Sequence, residues 1–331
     1  MKIVRTFFAC ILVLCTLFTL FYGQFRISVE HSFGNEESYK GILKLWHVDS
    51  FEGGVGSRKQ YLLKVARTFE KKYSGVLVMV VEHTLESANE NLKNGIYPDM
   101  ISYGNGLEIN NMSELNMDGA FKGGNIGEKN YAEAWCRGGY VLIANPKLVQ
   151  SIEINEIDSL LVSQSEYTQP LFSLIEEGIT VQDITIKTPM NAYVQFVEGK
   201  TKYFLGTQRD VNRLERRGME VITYPMMGYN DLYQYISITT TDNEKRFYSE
   251  EFIKVLLSEK SQSKLNEIGM LSQRYSVKYE NEHLVNMQSQ NNSKTISVFT
   301  SPLVLKDMQE KSKLAIKGDV EEQRKIKNML I

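Results

Sequence analysis

Apolar residues fall in short blocks separated by glycine-bearing polar turns. The first clear block is Ile42-Leu43-Lys44-Leu45-Trp46-His47-Val48, which reads as a buried strand. Asp49-Ser50-Phe51-Glu52-Gly53-Gly54 turns the chain out of it. From about Ser57, Leu62, Val65, Ala66 and Phe69 recur at helical spacing, and Ser74-Gly75 stops that helix. Val76 to Val81 is a second strand, apolar on both faces as in a helix-covered parallel sheet. A helix over 86–93 follows, capped by Asn94-Gly95. A third strand, 98–103, ends in Gly104-Asn105-Gly106. Strand, helix, strand, helix, strand within about sixty residues is a parallel α/β unit. Ligands in such sheets sit beyond the carboxyl ends of the strands, here loops 47–54 and 104–106, with Thr84 and Leu85 on the same edge.

Further along, 134–145 reads as one long strand with a glycine hinge at Gly138-Gly139. Helical patterns are expected at 159–161 and 169–177, and a helix over 191–198 capped by Gly199. Tyr203-Phe204-Leu205 is a strand ending in Gly206-Thr207-Gln208-Arg209-Asp210, with a helix from about Val211. Strands are expected at 221–225 and 232–239, an amphipathic helix over 249–265, and a charged, helix-prone stretch from about Leu303.

The N-terminus changes this picture. Lys2 and Arg5 precede an almost wholly apolar run, 7–22, which reads as an export signal. It is either cleaved near Gly23 or kept as a membrane anchor, with 24–40 as a spacer and the remainder outside the cytoplasm. Cys10 and Cys15 lie inside that run in no lipidation context, leaving Cys136 alone in the folded part, without a disulfide framework or a metal pair. The 38 Lys+Arg nearly balance 40 Asp+Glu, a formal net charge of −2, which offers no footprint for nucleic acid.

An ordered set of segments carries a resemblance. Leu45-Trp46-His47, Phe69-Glu70-Lys71-Lys72-Tyr73, Pro98-Asp99-Met100-Ile101-Ser102-Tyr103-Gly104 and Trp135-Cys136-Arg137-Gly138-Gly139-Tyr140 resemble extracellular solute-binding proteins of bacterial ABC importers, sugar-binding group. Phe196-Val197-Glu198-Gly199-Lys200, Phe204-Leu205-Gly206-Thr207-Gln208-Arg209-Asp210, the 252–259 helix and Gly269-Met270-Leu271-Ser272 continue it over roughly 42–275. The resemblance implies an α/β, two-lobed periplasmic-binding-protein-like fold (type II) with a hinge of crossing strands. Lobe 1 is then 41–136 with about 240–300, lobe 2 and the return crossing are 137–239, and 301–331 is a C-terminal helical segment. It implies capture of a small polar solute, a sugar or oligosaccharide, for delivery to a membrane permease by a monomer. The alternative is a membrane-tethered sensory or accessory protein of the same fold. This chain is shorter than that family, chiefly in the second lobe, and has only 2 Trp.

The expected ligand contacts follow from strand ends and the resemblance. Asp49 and Glu52 can accept sugar hydroxyls or simply be turn residues. Tyr103 and Asn105 follow the third strand, where the family places an aromatic or polar contact. Arg137 is a charge inside an apolar run and needs either a ligand or an internal partner. Gln208 and Arg209 are expected to reach across the cleft, though Arg209 can instead pair with Asp210. Tyr229 and Asp231 flank the return crossing. Catalysis is not expected: the histidines lack the HExxH metal spacing, and neither a GxSxG elbow nor a Walker A loop occurs. No metal or cofactor is expected.

Overall fold

The computed structural model describes residues 39–117, 121–288 and 293–331, so the expected export signal lies outside the described residues. Among the described residues, no helix is long and apolar enough to cross a membrane.

From Gly41 onward the chain builds two five-stranded sheets. The first has the order β2-β1-β3-β12-β6, formed by Val76–His83, Gly41–Val48, Met100–Tyr103, Tyr233–Ile238 and Glu133–Arg137. β1 runs parallel to β3, with Leu45 opposite Met100, whereas β12 is antiparallel to both β3 and β6. The second sheet has the order β11-β7-β10-β8-β9, formed by Ile222–Pro225, Tyr140–Ala144, Tyr203–Thr207, Ser159–Ser163 and Asp183–Lys187. β7 is antiparallel to β10 and β11, and β8 is parallel to β9 and β10. A small ribbon, β4 (Asn125–Ile126) with β5 (Lys129–Asn130), completes the strands named here.

The glycine pair Gly138-Gly139 divides what reads as one strand into two. β6 ends at Arg137 in the first sheet and β7 begins at Tyr140 in the second. The chain crosses back through 226–232 into β12. The expected two-lobed α/β arrangement with crossing strands is therefore present.

Local chemistry explains most boundaries. Ser57 caps helix Arg58–Lys72 by accepting from Gln60 N, and the helix buries Tyr61, Leu62, Val65, Ala66 and Phe69. Burying each large member of that stripe contributes about 1.5–3 kcal/mol. Helix Asn243–Leu256 packs against it, Phe252 edge-on to Phe69 with centroids 5.6 Å apart. Thr84 caps helix Leu85–Lys93, which takes it out of the candidate ligand edge.

Several expectations change. Residues 159–161 form strand β8, not helix: a short apolar run has no period of its own, and the neighbours β9 and β10 decide it. β9 has a weak apolar pattern and was not expected. β2 is an edge strand with Leu77 and Met79 exposed, not a strand covered on both faces. The 249–265 helix begins earlier, at Asn243 capped by Asp242, and breaks at Ser258, which caps the short helix Glu259–Gln262. The helix after β10 starts at Gln208 rather than Val211, because Thr207 and Asp210 form a reciprocal cap.

The stretch 240–300 divides between two cores. Val298 packs with Trp46, Ile101, Tyr103 and Tyr235 in the first, and Val277, Tyr279, Leu284 and Met287 join Ile143, Leu161 and Phe204 in the second. Two further helices, Pro302–Ala315 and Val320–Met329, pack on helix Pro170–Glu176 beside the second sheet.

Candidate solute-binding cleft

On the first sheet, the turn after β1 is braced from below. Trp135 Nε1 and Gln234 Nε2 donate to Ser102 Oγ at 3.0 and 3.1 Å. The hydroxyl, already taking two donors, is left to donate to His47 Nδ1 at 3.2 Å. His47 Nε2 then lies 2.9 Å from Asp49 Oδ1, close but without a hydrogen bond of good geometry. Arg58 Nε reaches the same oxygen at 2.8 Å, and Arg58 Nη2 donates to the Phe51 carbonyl. Burial alone raises the Asp49 pKa, but the adjacent His47 and the Arg58 charge outweigh it and hold the carboxyl at about 2. Asp49 therefore stays ionised with Oδ1 tied down, and about half of its side chain is open.

Serine, histidine and aspartate here stand in the order of a hydrolase triad. Ser102 and His47 are nevertheless fully buried, so the hydroxyl has no route to a substrate. The chain of contacts is a brace for Asp49.

A second carboxylate, Asp231, sits at the return crossing and ties the two sheets together. Its Oδ1 accepts from Tyr140 in β7 at 2.6 Å. Its Oδ2 accepts from the Gln169 backbone at 2.9 Å and from Asn105, just beyond β3, at 3.2 Å. Burial dominates there and pushes the carboxyl up to about 6 despite those donors. Nearby, Gly106 (φ 95°) lies against Tyr167 so closely that a side-chain carbon would sit 2.4 Å from the ring. Glycine is needed at that contact between first-sheet and second-sheet loops.

The third junction is ionic. Glu52 Oε2, on the first-sheet turn, lies 3.4 Å from Arg209 Nε and 3.4 Å from Arg213 Nη1 on the helix after β10. Glu52 Oε2 and Arg213 Nη1 are buried and form no hydrogen bond of good geometry. Asp210 on the same helix is committed to its cap, accepting from Thr207 N at 2.9 Å, and burial pushes it up to about 6.

The expected contacts thus separate. Glu52 with Arg209 and Asn105 with Asp231 lie where the two sheets' loops meet, while Asp49 keeps its partners, His47 and Arg58, on the first-sheet side. Tyr103 is not at that junction: its ring lies in the first core and its hydroxyl bonds Ser237 at 2.8 Å, because an odd place on β3 points it inward. Tyr229 is likewise sealed, its ring 5.3 Å from Phe172. Arg137 is buried and donates to the carbonyls of Met287 and Gln288, at the end of helix Glu282–Gln288, a favourable place for a cation. Burial lowers its pKa. Gln208 is also buried, and its Oε1 accepts from Gly139 N at 3.0 Å, so it holds the crossing rather than facing outward. Arg209 pairs with Glu52, not locally with Asp210.

Arg58, His47, Tyr140, Gln169 and Arg213 were not singled out from sequence. Arg213 had a readable signal: it is one helical turn past Arg209, hidden only by the late helix start. The other partners are brought in from distant segments. No cluster of metal-ligating side chains occurs among the described residues.

No protein-family model and no curated protein sequence matches the chain. Solved structures do. The sugar-binding protein MalE from Xanthomonas citri is 13% identical with a TM-score of 0.60, covering 87% of this chain and 95% of its own. The cyclic α-maltosyl-1,6-maltose binding protein from Arthrobacter globiformis is 11% identical with a TM-score of 0.59, covering 86% and 96%. The maltose/maltodextrin-binding domain MalE from Bdellovibrio bacteriovorus, bound to maltotriose, is 13% identical with a TM-score of 0.55, covering 86% and 96%. With its two sheets joined by crossing strands, the chain has the type II, maltose-binding-protein-like fold of ABC solute-binding proteins.

Proposed function

We propose that this chain is an extracytoplasmic solute-binding protein that captures a sugar or oligosaccharide between its lobes and delivers it to an ABC permease, without catalysis. In this reading lobe 1 is centred on the first sheet and lobe 2 on the second, and the protein acts as a monomer anchored to the outer face of the cell membrane or released by processing of the N-terminal segment. The observation that carries the reading is the meeting of polar groups from both sheets' loops, Glu52 of the first with Arg209 and Arg213 of the second, beside Asn105 bonded to Asp231 in the return crossing. Groups placed on both sides favour closure when one molecule bridges them. The carbohydrate class is supported by the sugar-binding structures of the same fold.

Thermal-shift screening of the exported part against a sugar library tests this. A raised Tm with at least one sugar is expected. Stabilisation by another solute class with none by any sugar overturns the carbohydrate assignment.

A further inference from the structure

The junction between Glu52 and the helix after β10 is electrically incomplete. One carboxylate oxygen faces two guanidinium groups, each at 3.4 Å, and satisfies neither with a well-formed hydrogen bond. Arg213 Nη1 is withdrawn from solvent with that bond unmade. Asp210 on the same helix already closes the cap on Thr207 through Oδ2; burial raises its carboxyl to about 6, with the nearby Arg213 charge opposing the rise. Arg209 stands in the first turn of helix Gln208–Arg216, where the backbone adds partial positive charge, and Arg213 lies in its last turn. Arg213 and Arg217 both lie over the Tyr193 ring, 5.4 Å from its centroid, which backs the guanidinium of Arg213 from behind.

Guanidinium groups pair best with two oxygens of one planar or tetrahedral anion, through parallel N–H bonds. Glu52 supplies a single oxygen from across the junction. The geometry points to an anion subsite at Arg209 and Arg213, occupied here by Glu52 as a built-in stand-in, and hence to a solute that carries a carboxylate or phosphate group. This rests on the solute-binding reading and narrows its substrate class to acidic or phosphorylated sugars. The incoming group displaces Glu52, meets both arginines with better geometry and leaves Glu52 to solvent at the rim. Glu52 thereby selects against neutral solutes, which cannot compete for the guanidinium pair.

Isothermal titration of the exported chain with glucose, glucuronate and glucose 6-phosphate, and with maltotriose against trigalacturonate, tests the inference. The anionic member of a set should bind about tenfold to hundredfold more tightly than the neutral one, the range expected of charge-assisted hydrogen bonds. A carboxylate advantage and a phosphate advantage both support the subsite and name its group. Glu52→Gln should tighten anion binding further, a gain that misfolding cannot produce. A variant with Arg209→Lys and Arg213→Lys keeps the charge but loses the fork, and should lose most of the anion preference while keeping its Tm within a few degrees. Neutral sugars binding as tightly as their anionic counterparts, or Glu52→Gln leaving anion affinity unchanged, overturns the subsite while leaving sugar capture intact. Absence of binding by every sugar, neutral or anionic, overturns both readings.

Discussion

Asp49, in the turn after β1, and Asp231, in the return crossing, are the same side chain, and their surroundings drive them in opposite directions. Asp49 meets a guanidinium and an imidazole nitrogen at one oxygen and keeps a carboxyl near 2. Asp231 meets only neutral donors, a phenol, an amide and a backbone N–H, and is carried up to about 6. Hydrogen-bond count does not explain the order, since Asp231 accepts three bonds and Asp49 only the one from Arg58 Nε. What separates them is that Asp231 is fully buried with neutral donors only, whereas Asp49 is half open and has a charged partner in Arg58. Asp49 is a fixed anion at an open edge, while Asp231 is a buried knot joining first sheet, second sheet and crossing.

The comparison predicts a hierarchy of effects. Asp231→Ala should be the most damaging, because it strands Tyr140, Gln169 N and Asn105 as buried donors, each worth about 1–3 kcal/mol when unmet. A loss of roughly 3 kcal/mol or more in denaturant unfolding is expected. A loss below about 1 kcal/mol would mean that the knot does not hold the sheets together.

Next is the pH dependence. Asp231 has a folded-state pKa raised from 3.8 to about 6, so the native state binds its proton more readily than the unfolded chain. Its contribution is fullest below about pH 4 and is lost as pH rises through about 6, an effect of about 2–3 kcal/mol at most. Asp210 is raised in the same direction, so the wild type alone cannot apportion the effect. Asp231→Asn should flatten the fall in unfolding free energy between pH 4 and 6, and an unchanged slope would count against the assignment. Asp49 carries the opposite sign: its stabilising share is present above about pH 4 and disappears as pH falls toward 2.

Arg58→Ala should cost about 1.5–3 kcal/mol, since Arg58 is buried, charge-bonded to Asp49 and seated on the Phe51 ring at 4.2 Å. The same change should raise the Asp49 pKa, readable by NMR titration of its carboxyl carbon. An unmoved titration would show that His47 alone sets the value.

The smallest effect is expected at Arg209. Its partly exposed pair with Glu52 contributes only about 0–1 kcal/mol to the stability of the free protein. Arg209→Ala should therefore leave the Tm nearly unmoved while weakening solute binding about tenfold to hundredfold. Unchanged binding in calorimetry would remove Arg209 from the site.

How far the sequence could be read depended on the range of the interactions involved. Helix Arg58–Lys72 and helix Leu85–Lys93 were legible because cap, stripe and stop all lie within a few turns. β8 was misread as helix because a short apolar run satisfies either period until β9 and β10 flank it. The start of the helix at Gln208 was placed three residues late, which was enough to hide Arg213 one turn beyond Arg209. Strand-end logic pointed to Asp49, Glu52, Asn105, Arg209 and Asp231, and the structure brings Glu52 to Arg209 and Asn105 to Asp231. That logic could not tell which way Tyr103 points on β3, nor that Gln208 turns inward to hold Gly139.

By itself the sequence determined the alternation of strands and helices, the glycine crossing after Arg137 and the two-lobed α/β class. The first two rest on local periodicity, capping and backbone freedom, which neighbouring residues encode, and the third on the ordered resemblance to solute-binding proteins. Only the tertiary structure decided which polar groups meet. Asp49 with Arg58 is a nearby pair, but Glu52 with Arg213, Asn105 with Asp231 and Arg137 with the carbonyl of Met287 join segments far apart in the chain. Burial, partner charge and the resulting pKa are set by those meetings, and no window along the chain contains both partners.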